Sequence, residues 1–236
     1  EAVRDAVNGA APAPESGAVG QRLARVDGPG KVTGRELFGA DRAPAGALWL
    51  RAVRSPHARA RFTLGDLGPL HARHPGLVRV LTAADVPGAN SFGIYPDIKD
   101  QPVLADGLVR FRGEAVVALV GDLATVEAIR DDELPIAWRE ETPVAGIDAA
   151  MTPTALVHAG RADNVLTRGR VVRGDVESGF AGAAHVVETA VETTFVEHAY
   201  IEPEAGFARR VGDRIEVAAC TQTPYMDRDE IARVLG

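Results

Sequence analysis

Apolar and polar residues alternate over several short stretches of the chain, and this pattern predicts β-strands. The predicted strands cover residues 47–54, 77–81, 115–120, 134–138 and 186–197, followed by a hairpin of 204–211 and 214–220 that turns at Gly212-Asp213. Residues 115–120 (AVVALV) are almost continuously apolar, which suits a strand buried on both faces. The clearest alternation places these side chains on one face: Val187, Thr189, Val191, Thr193 and Phe195.

Short helices are predicted between the strands from their start and stop signals. Residues 66–74 fit a helix ended by Pro75-Gly76, and residues 123–130 fit a second helix. Asp175 can cap a third helix that runs through Phe180. Pro224 stands at a favoured first helical position for an amphipathic stretch that ends at Gly236. Strands that alternate with short helices indicate an α+β or α/β layer and not a β-sandwich.

Composition divides the chain into three parts. Residues 1–18 start with the end of a predicted helix (EAVRDAVN) and continue in Ala, Pro, Gly and Ser, which is typical of a linker. Residues 142–169 are rich in Pro, Ala and Gly and lack clean periodicity, so the boundary between a domain of 19–150 and a unit of 151–236 is placed there. A hairpin and one helix offer little core, so we expect this second unit to be incomplete and to pack against further polypeptide.

Charge and cysteine content argue against several classes of function. With 26 Lys+Arg against 33 Asp+Glu, the net charge is -7 and no basic block is present, which disfavours a nucleic-acid binder. No apolar run approaches the roughly 18 residues of a membrane span, and the first residues show no charged-then-apolar signal pattern. Cys220 is the only cysteine, so this sequence can form no internal disulfide and no thiolate-ligated iron–sulfur or structural zinc site.

Two patterns suggest a metal or phosphate site, and both have a plainer interpretation. His71 and His74 are three residues apart on a predicted helix, but no third ligand follows nearby, so surface or capping roles are favoured over metal ligation. Gly28, Gly30 and Gly34 lie in DGPGKVTG. This stretch superficially resembles a phosphate-binding loop, but it lacks the preceding apolar strand and the terminal GK-Ser/Thr.

Acidic residues surround a histidine further along the chain. Glu197, Glu202 and Glu204 flank His198 in FVEHAYIEPEAG. Paired carboxylates at this place could act as general acid and base. The alternative is a strand end whose carboxylates cap turns or pair with arginines, and the residues alone favour that alternative.

Gln222 lies in CTQTP, between the last predicted strand and the start of the final helix. Free backbone N–H groups and the positive end of the helix dipole are found at such a junction. A side-chain amide there is suited to donate a hydrogen bond to an anionic oxygen, although it could equally cap the helix.

Several stretches together resemble the large subunit of molybdenum hydroxylases, the relatives of xanthine dehydrogenase, aldehyde oxidase and nicotinate dehydrogenase. The first domain of that subunit is similar to KVTGRELFGAD, RSPHARARF, PGLVRVLTAADVPG, PVLADGLVRFRGEAVVALVGD and DELPIAWREETPV. The start of its molybdopterin-binding domain is similar to RGDVESGFAGAAHVVETAVETTFVEHAYIEPEAGFA and TQTPYMDRDEIARVLG. The opening EAVRDAVNGAA also resembles the helix that closes the family's [2Fe-2S] domain.

The resemblance implies an α+β fold: an α/β hammerhead domain followed by the first, incomplete α+β lobe of the molybdopterin-binding region. It implies a molybdopterin cofactor shared with the remaining molybdopterin-binding polypeptide. It further implies [2Fe-2S] clusters on a partner or upstream domain, and it allows a FAD subunit. The implied reaction hydroxylates an electron-poor carbon of an N-heterocycle or aldehyde with oxygen from water. A cytoplasmic location is expected, with the periplasm also allowed.

The resemblance also assigns individual residues. Gln222 matches the glutamine of the family's Thr-Gln-(Asn/Thr) motif, which donates to an oxo ligand on molybdenum. His198 and Glu202 match a pattern interpreted as shaping a strand end. Gly113 and Glu114 match FxGExV, interpreted as structural and allowing a position that faces the iron–sulfur domain. The base glutamate, the Gly-rich loop and most pterin contacts belong to the part of the family sequence beyond this chain, so neither a catalytic residue nor a direct metal ligand is expected here.

Two alternatives remain at the level of sequence. The first is a non-catalytic scaffold or assembly module that keeps the hammerhead fold without binding cofactor. The second is a phosphate-binding domain that uses DGPGKVTG, which predicts thermal stabilisation by nucleotide.

Overall fold

The computed structural model describes residues 23–152, 155–194, 196–202 and 204–236. The predicted linker of 1–18, with its helix end, lies outside these residues. The strands of the described part are β1 (Trp49–Arg54), β2 (Ala60–Leu64), β3 (Leu77–Leu81), β4 (Leu108–Val109), β5 (Ala115–Gly121), β6 (Ile136–Glu140), β7 (Gly206–Val211) and β8 (Arg214–Ala219). The α-helices are α1 (Gly28–Val32), α2 (Gly68–Arg73), α3 (Leu123–Ala128), α4 (Ile147–Met151), α5 (Val176–Ala181) and α6 (Pro224–Leu235).

The chain divides into two compact units. One comprises Glu1–Gly46 and Glu197–Gln222, and the other comprises Ala47–Val196 and Thr223–Gly236. In the described part of the chain, no helix is long and apolar enough to cross a membrane. The mixture of helices and antiparallel strands makes the fold α+β, as predicted.

Two three-stranded antiparallel sheets form the larger unit. The first has the order β1-β5-β3 and the second has the order β4-β2-β6. The central strand β5 is the predicted apolar run, and its residues Val116–Leu119 are consecutive and at most 5% exposed. Because successive side chains of a strand point to opposite faces, consecutive burial confirms that β5 is covered on both faces.

The core of the larger unit extends from β5 to the neighbouring elements. Val53 of β1, Val80 of β3, Leu70 of α2 and Val126 of α3 belong to one buried cluster with β5. The predicted helices at 66–74 and 123–130 are confirmed as α2 and α3, each slightly shorter than predicted. The strand predicted at 134–138 lies two residues further on, at Ile136–Glu140.

A two-stranded hairpin, β7–β8, lies in the smaller unit. Its register pairs Gly206 with Ala219 and Val211 with Arg214, which confirms the predicted hairpin. Gly212 occupies the turn with a φ of +63°, a conformation that costs glycine little. The hairpin is stabilised across the strands by an ion pair between Arg209 and Glu216 at 2.9 Å.

The prediction of a strand over residues 186–197 is wrong. Its described residues, 186–194 and 196–197, adopt no strand and pair with no other part of the described chain. The side chains of Val187 and Val191 are 90% and 83% exposed. Alternation specifies which face of a strand is apolar, but a strand forms only where a neighbour accepts its backbone hydrogen bonds.

Candidate functional site

Gln222 lies in a bend between strand β8, which ends at Ala219, and helix α6. Pro224 is the first residue of α6 and Thr223 is the residue before it. Pro is favoured there because its fixed φ suits a helix and its missing N–H would have no partner in the first turn. The chain therefore leaves the strand and starts the helix within four residues, and Gln222 lies inside that short connection.

The amide of Gln222 is available for a ligand. The residue is exposed, and within the described part of the chain its side chain makes no hydrogen bond. An amide offers two N–H donors and one oxygen acceptor. A neutral donor of this kind can bind an oxygen ligand without introducing a second charge.

Glu202, by contrast, is engaged in structural contacts. One of its carboxylate oxygens accepts hydrogen bonds from the Gly39 backbone N–H, at 3.4 Å, and from the Cys220 thiol, at 3.2 Å. A Cβ on Gly39 would lie 2.8 Å from the Ala205 carbonyl oxygen, so only glycine fits at this approach. These contacts give Glu202 a structural role, but the described residues before it form no strand whose end it could shape.

The other members of the acidic group do not form a paired-carboxylate site. The Tyr200 hydroxyl donates to Glu204 at 2.7 Å, and this bond is the main reason why the pKa of Tyr200 is raised. His198 and Glu197 are 3.9 Å apart and both largely exposed. The structure therefore brings Glu202 to Cys220 and Glu204 to Tyr200, and the group as a whole converges on no common point.

The other histidine candidates have structural partners. The Nε2 of His74 lies 3.0 Å from a Glu133 carboxylate oxygen, and the Nδ1 of His71 lies 3.3 Å from the Leu77 carbonyl oxygen. Among the described residues, no three His, Cys, Asp or Glu side chains are placed to hold a metal ion together.

The glycine-rich stretch DGPGKVTG forms the short helix α1 and its flanks. The ammonium of Lys31 is paired with the Asp27 carboxylate at 2.7 Å. A Cβ on Gly30 would lie 2.9 Å from a carboxylate oxygen of Glu36. Phosphate binding is disfavoured here, because the charge of Lys31 is already paired and the Glu36 carboxylate lies beside Gly30.

Gly113 and the buried residue Glu114 lie at a turn before β5. The Gly113 N–H donates to the Ser55 carbonyl oxygen and the Ser55 N–H donates to that of Glu114, both at 2.9 Å. The Glu114 side chain is only 2% exposed and accepts a hydrogen bond from the Arg110 backbone N–H. These contacts agree with the structural interpretation of the FxGExV pattern.

Sequence reasoning missed two adjacent charged residues, Lys99 and Asp100. Lys99 pairs with Glu230 of α6 at 2.6 Å, and Asp100 pairs with Arg161 at 2.9 Å. The one available signal was that only two of the 26 Lys and Arg residues are lysines, and Lys99 is one of them. Nothing in the sequence indicated its partner.

Two family models match the chain. Residues 33–130 match the aldehyde oxidase and xanthine dehydrogenase a/b hammerhead domain. Residues 157–236 match the molybdopterin cofactor-binding domain.

Known proteins agree with these models. One subunit of a probable xanthine dehydrogenase from Bacillus subtilis is 32% identical over 89% of this chain and 28% of its own length. The nicotinate dehydrogenase large molybdopterin subunit of Eubacterium barkeri is 30% identical over 92% of this chain and 51% of its own length. The chain thus spans about a quarter to a half of the length of these relatives.

Solved structures show the same similarity. Quinoline 2-oxidoreductase from Pseudomonas putida 86 superposes with a TM-score of 0.75 at 27% identity, over 89% of this chain and 28% of that one. Aldehyde oxidoreductase from Desulfovibrio gigas gives a TM-score of 0.73 at 28% identity, over 83% of this chain and 23% of that one.

The fold and the two matched models define an α+β class in which a hammerhead domain is followed by a molybdopterin-binding domain. The chain belongs to the molybdenum hydroxylase family, whose members named above are molybdenum-dependent oxidoreductases.

Proposed function

We propose that this chain forms one side of the molybdopterin site of a molybdenum hydroxylase, and that further polypeptide completes the site. The exposed, unengaged amide of Gln222 carries this proposal. The proposed domains are a linker at 1–18 that ends an upstream [2Fe-2S] domain, a hammerhead domain at 19–150 and the incomplete start of the molybdopterin-binding domain at 151–236. The matches at 33–130 and 157–236 support the last two.

Among the described residues, we propose one that contacts the cofactor, Gln222. Gln222 would hold it by donating its amide N–H to an oxygen ligand, and we propose no direct metal ligand in this chain. When bound, the molybdenum cofactor supplies the two-electron redox chemistry of hydroxylation with oxygen from water. The part of Gln222 is electrostatic, because a donor already in place stabilises negative charge on an oxygen without reorganisation.

The substrate and partners follow from the relatives. The relatives are named for nicotinate, quinoline and aldehyde. These names support a substrate that reacts at an electron-poor carbon of an N-heterocycle or aldehyde. Electrons would leave through [2Fe-2S] clusters on a partner or upstream domain, with FAD on another subunit as a further acceptor. A cytoplasmic location completes the proposal, and a sequence with one cysteine suits a reducing compartment.

The test replaces the amide in the assembled enzyme. Gln222→Ala should lower turnover about 100-fold, the usual effect of removing one electrostatic donor. The melting temperature should change little, because substitutions at exposed positions such as Gln222 usually have small effects on stability. Steady-state kinetics and thermal denaturation measure the two effects.

Two further variants make the test specific. Gln222→Glu keeps the shape of the side chain but replaces the donor by an acceptor, so turnover should fall at least as far as in the alanine variant. Glu127→Ala, at an exposed position of α3, should retain full activity. Equal turnover of wild type and Gln222→Ala would remove Gln222 from the site, and a native complex without molybdenum would favour the scaffold.

A further inference from the structure

A loop of the hammerhead domain, residues 88–101, reaches two parts of the molybdopterin-binding match. The loop is closed on itself by paired backbone hydrogen bonds between Phe92 and Gln101, at 2.8 and 3.3 Å. We call it the 88–101 loop. All of its contacts described below lie within the larger compact unit.

Lys99 of the 88–101 loop contacts the middle of α6. Its ammonium lies 2.6 Å from the Glu230 carboxylate and also donates to the Gly93 carbonyl oxygen of the loop. The Lys99 and Glu230 side chains are only 18% and 20% exposed, so water screens the pair less than at an open surface. The hydrogen bond from Lys99 is the main reason why the pKa of Glu230 is lowered.

The other end of the 88–101 loop contacts the end of α6. The Gly88 and Ala89 N–H groups donate to the Val234 and Arg233 carbonyl oxygens, at 2.9 and 3.0 Å. A Cβ on Gly88 would lie 2.4 Å from the Arg233 carbonyl oxygen, so glycine permits this approach. Arg233 in turn donates to the Ser91 carbonyl oxygen. Helix α6 is thus held at its middle and at its last turn.

Asp100, the next residue after Lys99, contacts the beginning of the molybdopterin-binding match. Its carboxylate lies 2.9 Å from the Arg161 guanidinium and 3.8 Å from the His158 ring. Arg161 also donates to the Val165 and Leu166 carbonyl oxygens. The Asp100 carboxylate therefore contacts the segment 158–166 through Arg161 and His158.

We propose that Lys99 and Asp100 are positioning residues of the hammerhead domain: Lys99 sets the place of α6, and Asp100 sets the place of 158–166. Along the chain, Thr223 alone separates Gln222 from α6. Any effect of these residues on turnover rests on the proposed function. Lys99 and Asp100 would thus hold α6 and 158–166 in place before any cofactor binds.

Hydrogen exchange in the assembled enzyme tests the positioning without reference to activity. Lys99→Met should speed exchange of the α6 amides about tenfold, the effect expected from losing one charged hydrogen bond, and should leave β5 unchanged. Glu230→Gln, which keeps the shape of its side chain, should give the same pattern. Asp100→Asn should speed exchange in 158–166 and leave α6 unchanged.

The other lysine of the chain provides a matched control. Lys31 also pairs with a carboxylate, that of Asp27, but its side chain is 38% exposed. Lys31→Met should therefore leave exchange in α6 and 158–166 as in the wild type. Lys99→Arg, which keeps the positive charge, should restore most of the protection of α6.

Kinetics separate this proposal from the proposed function. With molybdenum content unchanged, Lys99→Met should lower kcat about tenfold and leave KM unchanged, since misplacing a positioned group slows the chemical step. Wild-type exchange of α6 in Lys99→Met would overturn the positioning role, whereas faster exchange with unchanged kcat would overturn only its link to turnover. If Gln222→Ala kept wild-type turnover, that result would instead refute the proposed function, whatever the exchange data show.

Discussion

At the scale of single residues, a buried carboxylate organises the turn that precedes β5. Glu114 is 2% exposed, accepts the Arg110 backbone N–H and lies 3.4 Å from the Arg110 guanidinium. A buried carboxylate costs free energy unless such partners compensate it. Glu114 therefore has a structural reason to be acidic that does not depend on catalysis.

We expect Glu114→Ala to lower the free energy of unfolding by about 2–3 kcal/mol, because it leaves the part-buried Arg110 backbone N–H without its acceptor and removes the carboxylate that pairs with the Arg110 guanidinium. Glu114→Gln should lose less, since its amide oxygen can still accept from Arg110. Chemical denaturation of the chain measures both. If the alanine variant were as stable as the wild type, the carboxylate would not be what holds this turn.

The candidate residues differ in how far the sequence could predict them. Gln222 was predicted because its neighbours along the chain mark a strand end and a helix start, and its role stays a prediction. Lys99 and Asp100 were missed because their partners are remote: 131 residues separate Lys99 from Glu230, and 61 separate Asp100 from Arg161. A pair of opposite charges so far apart in sequence leaves no local pattern.

At the scale of elements, local capping explains why the short helices were predicted well. The Asp122 carboxylate accepts from the Thr125 N–H at 2.8 Å at the start of α3. Asp175 accepts from the Ser178 N–H in the same way at the start of α5. Helix α5 begins after its predicted cap Asp175, and α3 begins at the predicted residue 123. Such starts can be predicted because the capping bond spans only three residues.

Replacing the cap of α3 should give a pH-dependent loss of stability. Asp122→Ala should lower the denaturation midpoint at neutral pH, whereas Asp122→Asn, a comparable cap, should lower it less. The hydrogen bond from Thr125 is the main reason why the pKa of Asp122 lies below its ordinary value of 3.8. The charged cap therefore stabilises the fold above that value, and its contribution is lost as the pH falls through the lowered pKa.

Denaturation at several pH values checks this prediction. The difference between wild type and Asp122→Ala should shrink on acidification below about pH 4. A difference that stays constant down to pH 2 would show that the carboxylate charge plays no part in the cap.

At the scale of the whole molecule, order is distributed unevenly. Strand β5 is paired with β1 and β3 and covered on both faces. Residues 186–194 have no strand partner in the described chain, and their valines are exposed. Local stability follows such differences in burial and hydrogen bonding.

Hydrogen exchange of the chain should reproduce this distribution. The amides of β5 should exchange at least about a thousandfold more slowly than those of 186–194, because only β5 opens through loss of the main core. Mass spectrometry after peptic digestion resolves the two segments. Comparable protection in 186–194 would mean that this stretch is paired in solution.

The sequence by itself determined the α+β class, the buried strand β5, the hairpin with its Gly212 turn and the start of α6 at Pro224. Each of these depends on residues within about ten positions of one another, where periodicity, caps and turn residues act. Only the tertiary structure decided that 186–194 is no strand, that Glu202 binds Gly39 and Cys220, and that Lys99 and Asp100 hold segments far along the chain. Those outcomes depend on which distant groups supply hydrogen bonds and charges, and folding alone brings such groups together.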